Sequence, residues 1–329
     1  MLRLLDKRIS YKPLQYPWAL KAWEEHEKMH WLSHEVSLRD DVVDWKSSLS
    51  EPQKEFLTQI FRFFTQADVS VADGYVSKFM PYFNGHPEIT MMMASFAARE
   101  AVHIEAYALL TDTIGMPESE YSAFLDYAAM KDKYEFLDTI NLDDTFSTAK
   151  ALAVYSAFTE GMQLYSSFAM LMHFERLGKM RGMTNIVRWS LRDEDKHATS
   201  MIQLLRTFVS EYLPFDEYSI LEYEVREVAR VMVGLEDKFI DLAFSMCDEH
   251  ALNAGLPSSE EPLTSALLKK YIRHITDYRL GQMGYAPEYG ETVNPLKWLD
   301  RLLIAPEHTN FFENKPTEYS KAGLEGDMF

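Results

Sequence analysis

From Glu51 the sequence runs to about Phe83 with no glycine before Gly74, and runs of this kind recur along most of the chain, separated by short clusters of Gly, Pro, Asn and Asp. Such long, breaker-poor segments leave little room for sheet, because strands are short and need frequent turns. Ser50, followed by Glu51 and Pro52, has the form of an N-cap with proline in the first turn. Asn84-Gly85-His86-Pro87 reads as a turn, and the next helix runs from Glu88 to about Thr113, ahead of the Gly115-Met116-Pro117 breaker. A first helix is expected from Trp18 to about His34, and shorter segments from 118 to 141. Asp143 or Asp144 is placed to cap a helix running to Leu177. Helical patterns follow from Met183 to Tyr212, Asp216 to His250 and Pro262 to Gly281. No series of alternating strands appears, so the expected class is all-α.

With 47% hydrophobic residues and only 13 glycines, the chain can bury a large core. No internal repeat or low-complexity linker divides it, which predicts one domain over 1–305. From Pro306 the sequence turns polar, with Lys315-Pro316, Gly323 and Gly326, and 306–329 is expected to be a flexible tail. A formal net charge of -18 argues against nucleic acid and anionic membrane as partners. Cys247 is the single cysteine, so neither an intrachain disulfide nor a thiolate metal cluster is available. Residues 1–10 carry charges where a signal peptide would carry an apolar core, and no run approaches a membrane span. A cytoplasmic location is expected.

Chemistry enters with a repeated spacing. Glu-x-x-His puts a carboxylate and an imidazole on one side of a helix, where both can reach one metal ion. The chain has three: Glu27/His30, Glu100/His103 and Glu194/His197. Chance alone supplies such a pair now and then. Glu27/His30 reads as the decoy, since Glu24, Glu25, His26 and Lys28 around it look like a solvated helix face. The other two lie in apolar helices. Between them Glu160 sits in Ala157-Phe158-Thr159-Glu160-Gly161-Met162, and before them Asp68 sits in Phe63-Phe64-Thr65-Gln66-Ala67-Asp68-Val69.

Any one of these acids is as readily a surface charge. Four successive helices offering an acid, a Glu-x-x-His, an acid and a second Glu-x-x-His are the carboxylate dimetal pattern of ferritin-like bundles. Four carboxylates balance two divalent ions, and oxygen-rich ligation with one imidazole per ion suits iron or manganese. Tyr107, seven residues after Glu100, returns to the same helix face roughly 10 Å along the axis.

The stretches Arg99-Glu100-Ala101-Val102-His103-Ile104-Glu105-Ala106-Tyr107 and Arg192-Asp193-Glu194-Asp195-Lys196-His197 resemble the metal-binding helices of the small subunit of class I ribonucleotide reductases. Glu160 and Glu194 stand 34 residues apart, as in that family, and His308-Thr309-Asn310-Phe311-Phe312-Glu313 resembles its lead into the C-terminal tail. The likeness runs from about Trp31 to Phe329. It implies a ferritin-like bundle with additional helices, in which Asp68, Glu100 and His103 bind one metal and Glu160, Glu194 and His197 the other. Tyr107 would be the radical site, and Trp31 with Asp193 would connect a metal-bound histidine to the surface. Asp193 would also orient His103, and Tyr319 in the tail would relay the radical.

Asp68 is the least regular match, because the segment before Glu100 is slightly longer than usual, and Asp73 is the alternative. Ser190, four residues before Glu194, stands where family members often carry an apolar residue. The implied activity is that of a ribonucleoside-diphosphate reductase, an oxidoreductase that makes deoxyribonucleotides and works only with its large subunit. A homodimer and a flavoprotein activator are the other partners implied. The alternatives are a dimetal oxidase or desaturase using the same six ligands, and a ferritin-like metal storage protein.

Overall fold

A computed structural model describes residues 2–123, 126–129, 131–132 and 141–304. Its long helices are α1 Pro17–Lys28, α2 Glu51–Asp73, α3 Pro87–Ile114, α4 Thr145–Ala153, α5 Tyr165–Arg176, α6 Arg181–Tyr212, α7 Tyr218–Ser245 and α8 Ser265–Met283. Among the described residues there is no strand. One compact unit spans Met1–Leu296. A second begins at Lys297, and its described part is the helix Lys297–Ile304. The tail 306–329, with Tyr319 and the motif at 308–313, lies outside the described residues, as does all of 133–140.

Local chemistry sets the helix starts. Ser50 accepts from the Gln53 N–H while the Gln53 side chain accepts from the Ser50 N–H, a reciprocal cap with Pro52 in the first turn. Asp144, one of the two capping candidates, accepts from the Ser147 N–H. Helix α6 is capped from a distance. Asp41, fully buried on the short helix Arg39–Val43, accepts from the backbone N–H groups of Gly182 and Met183, each at 2.7 Å. Gly182 is required there, since a Cβ would lie 2.6 Å from Asp41 Oδ2 and from the Ser37 carbonyl.

Helix α3 packs along α1, α2 and α6, and α6 in turn packs on α4 and α5. The interior between them is closed by Phe63, Phe79, Phe96 and Phe158, all buried. Two sequence expectations are corrected here. The first helix stops at Lys28 rather than near His34, because the Met29 carbonyl is taken by Arg99 and Arg192 and the chain turns Trp31 inward. The helix expected from 145 to 177 is broken: α4 gives way to a π-helical turn at Val154–Thr159, and α resumes only at Tyr165. Wide turns of this kind are frequent where a helix carries a functional group. A similar π-helical turn, Gly74–Phe79, follows α2.

Candidate metal centre

Six side chains anticipated from the sequence converge in the interior of the bundle. Asp68 comes from α2, Glu100 and His103 from α3, Glu160 from the break after the π-helical turn, and Glu194 and His197 from α6. All are buried to 1% exposure or less. They form two overlapping groups, Asp68-Glu100-His103-Glu194 and Glu100-Glu160-Glu194-His197, in each of which one ligand atom per residue lies within 4.8 Å of the others. Glu100 and Glu194 belong to both, and the two imidazoles are stacked 6.3 Å apart. Asp73, the alternative to Asp68, is exposed and accepts a hydrogen bond from Ser77. Glu27 and His30 are also exposed, and neither belongs to a metal-binding group among the described residues.

The donor set fits a pair of cations. His103 Nδ1 lies 3.1 Å from Glu194 and 3.3 Å from Glu100, and His197 Nδ1 lies 2.8 Å from Glu100. Yet both oxygens of Asp68, Glu100, Glu160 and Glu194, and both inward ring nitrogens, lack a hydrogen bond of acceptable geometry. So many buried acceptors aimed at one another are costly unless positive charge sits among them. Titration reflects the same crowding. Burial, then repulsion from Glu100 and Glu194, pushes Asp68 well above the usual carboxylate range, and burial with Glu194 pushes Glu160 up to about 7. Burial alone would lower the histidines, but the Glu100 carboxylate and its neighbours hold both well above their ordinary value. The buried carboxylate and histidine groups therefore could hold a dimetal site.

Glu160 reaches this place because its backbone has left the α-helix. The Gly161 carbonyl accepts from Arg279 Nε at 3.1 Å, and Arg279, fully buried, also donates to Tyr165 and pairs with Asp195. A Cβ at Gly161 would lie 2.5 Å from the Ala157 carbonyl oxygen and 2.7 Å from Arg279 Nε.

The sequence matches the family described as ribonucleotide reductase, small chain, over residues 8–295. The chain belongs to that family. It is 46% identical to the probable ribonucleoside-diphosphate reductase small subunit 048L of Invertebrate iridescent virus 3, an alignment covering 99% of this chain and 88% of the viral one. It is 30% identical to the ribonucleoside-diphosphate reductase subunit beta of Chlamydia pneumoniae, over 94% of this chain and 90% of the other. In fold it is similar to the ribonucleotide reductase R2 subunit from Clostridium botulinum, with a TM-score of 0.74 at 20% identity over 90% of this chain and 91% of that one. The dimanganese(II)-NrdF of Streptococcus sanguinis gives 0.71 at 19% identity, over 87% and 94%.

Within this small-chain fold, the residues around the two groups differ. Behind His103, Asp193 Oδ2 lies 3.2 Å from Nε2 and accepts from Trp31 Nε1–H at 2.7 Å and Arg99 at 3.0 Å. Burial would raise Asp193, but His103, Arg99 and Trp31 hold it well below the usual range, so it is ionised. Trp31 is buried and stacks on His103 with ring centres 5.8 Å apart. Tyr107, 2% exposed, has its ring centre 6.3 Å from that of His103. Burial and then the Asp68 charge push its phenol well up, while the Ser190 hydroxyl beside it works the other way. Ser190 thus adds a polar partner at the tyrosine pocket.

Behind His197 stand groups that the spacing did not single out. His26 is fully buried, with its Nε2 3.1 Å from His197 Nε2. Burial, then the neighbouring His197 and Arg99, pushes His26 down to about 2, so its ring is neutral. Tyr75 and Tyr155 pack edge to face nearby, and Tyr155 donates to the Val71 carbonyl. No helix among the described residues is long and apolar enough to cross a membrane.

Proposed function

We propose that this chain is the radical-generating subunit of a ribonucleoside-diphosphate reductase, holding two iron or manganese ions and storing its oxidant on Tyr107. The observation that carries this reading is the pair of ligand groups sharing Glu100 and Glu194, with a buried tyrosine beside one of them. Asp68, Glu100 and His103 are assigned to one ion, and Glu160, Glu194 and His197 to the other, with the shared carboxylates available for bridging. Ions held there would supply the redox chemistry that reduces an oxygen species and oxidises a phenol by one electron. Oxygen-rich donor sets with one imidazole each favour iron or manganese, and the Streptococcus sanguinis neighbour, a dimanganese(II) protein, keeps manganese among the candidates.

The remaining steps belong to the chain's own side chains. Tyr107 would hold the oxidant as a neutral phenoxyl radical, and its burial shields it from solvent reductants. Asp193 keeps the proton of His103 on Nε2, which aims Nδ1 at the ion. The stack of Trp31 on His103, joined through Asp193, offers a route for an electron away from the centre. In this reading Tyr319, on the tail 306–329 beyond a domain of 1–305, continues that route to the large subunit. Ribonucleotides are reduced there.

A homodimer is in keeping with α3, which exposes Ala94, Ala98, Ala101 and Leu109, and with Val69 and Val76, which are more than 45% exposed. A cytoplasmic setting suits an acidic chain whose single cysteine is buried, and a flavoprotein activator belongs to the manganese form of this reading.

The decisive experiment loads metal-free protein with ferrous iron, manganese or both, adds oxygen, or superoxide with a flavoprotein activator, and records low-temperature electron paramagnetic resonance. A tyrosyl signal is expected in the wild type and absent in Tyr107→Phe. A signal that persists in Tyr107→Phe, or its absence under every loading, would falsify the assignment.

A further inference from the structure

One hydrogen-bonded line near the centre has no part in the route through Trp31. His197 turns Nδ1 toward the carboxylates and Nε2 toward His26 Nε2, 3.1 Å away. His26 Nδ1 lies 2.7 Å from Ser95 Oγ, and Ser95 Oγ donates to Glu27 Oε1 at 2.6 Å. The line crosses from α6 to α1, to α3 and back to α1, and ends on an exposed carboxylate. Phe96 holds the His26 ring edge to face, with centres 4.9 Å apart.

Counting hydrogens fixes its direction. An imidazole nitrogen that gives its lone pair to a cation carries no hydrogen, so His197 must carry its hydrogen on Nε2. Two facing ring nitrogens can share one hydrogen only, so His26 Nε2 accepts and its own hydrogen sits on Nδ1. Ser95 Oγ accepts that hydrogen and gives its own to Glu27, which as a carboxylate can only accept. His26 and Ser95 each donate once and accept once, and the surface charge at the end favours this order over its reverse. The arrangement does for His197, through two intermediaries, what Asp193 does directly for His103.

We propose that His26, Ser95 and Glu27 form a positioning relay for His197, which sets the affinity of the ion held by Glu160, Glu194 and His197 independently of the ion beside His103. The relay rests on the dimetal reading above. It makes Glu27 functional although its motif partner His30 is not, and it gives a surface carboxylate influence over a buried metal position.

Manganese(II) alone is the probe. Metal-free full-length protein is titrated with it, and free manganese is read by room-temperature electron paramagnetic resonance, which resolves the two binding steps of the wild type. Ser95→Ala and His26→Leu are expected to weaken one step on the order of 10- to 100-fold and leave the other unchanged. Glu27→Gln, on the surface, is expected to weaken the same step a few-fold without moving the metal-free melting temperature, a combination that simple packing does not produce. His26→Gln recovers most of the affinity, because its carbonyl can accept from His197 while its amide donates to Ser95. The relay is overturned if Glu27→Gln and Ser95→Ala both bind as wild type, if all variants weaken both steps equally, or if His26→Gln binds no better than His26→Leu. A wild type that binds no pair of ions overturns the dimetal reading and the relay with it.

Discussion

Around His103 the outer ring nitrogen meets a buried carboxylate that is itself held by Arg99 and Trp31, whereas around His197 it meets a second, neutral imidazole. The first surrounding is ionic and stays inside the protein. The second is a line of neutral donors that reaches solvent at Glu27. The two histidines occupy the same place in the same four-residue motif, so the motif does not determine what lies behind it. Those outer groups come from α1, the segment carrying Trp31, α3 and, for Asp193, α6, and each is brought to its histidine by tertiary packing. A pair of ions bound by near-equivalent inner ligands would therefore sit in unequal environments, one beside Tyr107 and an ion pair, the other beside His26 and two further tyrosines. In the proposed reading, that inequality would let the centre oxidise one neighbouring phenol and spare the others.

The harshest way to break the comparison is to remove what both halves share. Glu194 contributes to each group, so Glu194→Ala is expected to take the protein from two ions per chain to fewer than one after desalting, as measured by elemental analysis. The metal-free form should melt lower than wild type: burial and Glu100 would raise the Glu194 carboxyl, but His103 and His197 hold it below its ordinary value, and the variant leaves both imidazoles without that partner. Retention of two tightly held ions would show that Glu194 is not a common ligand. Asp193→Asn acts on one half alone. It leaves Arg99, 4% exposed, without its counter-charge, a loss on the order of 3 kcal/mol in the metal-free protein by chemical denaturation. It should also weaken the His103 position by roughly 10- to 100-fold in the manganese titration, with the His197 position unaffected. Equal weakening of both would erase the distinction between the halves.

How much of this could be read from the sequence follows from the range of each signal. The proposed ligands were legible because Glu-x-x-His is local, and because acids inside apolar helices such as Asp68 and Glu160 stand out against their neighbours. The break before Tyr165 was not legible: helical spacing continues through a π-helical turn, and the Arg279 that holds the Gly161 carbonyl lies 118 residues away. Asp41, which caps α6 from 141 residues away, is hidden for the same reason. His26 is a different case. Its neighbours Glu24, Glu25 and Lys28 give it the look of a solvated face, yet Ala19, Ala22 and His26 form the buried stripe of α1 at three- and four-residue spacing. Small residues on that stripe carried the signal, and the charged neighbours masked it.

The mildest test concerns how Glu160 is delivered to the His197 half. Gly161→Ala keeps every ligand and adds one methyl group where 2.5 Å separates it from the Ala157 carbonyl oxygen and 2.7 Å from Arg279 Nε. Neither neighbour yields cheaply, since one is backbone and the other is a fully buried guanidinium held by Tyr165 and Asp195. The expected cost is about 1–3 kcal/mol in the metal-free protein, read as a lower denaturation midpoint with an unchanged slope. Because the backbone that shifts carries Glu160 and not Asp68, the same variant should weaken only the His197 position in the manganese titration. Weakening confined to the His103 position would mean that the break at Gly161 does not govern Glu160. An unchanged midpoint would mean that the π-helical turn absorbs the methyl group, making that turn a flexible joint between α4 and α5 instead of a fixed mount for the ligand.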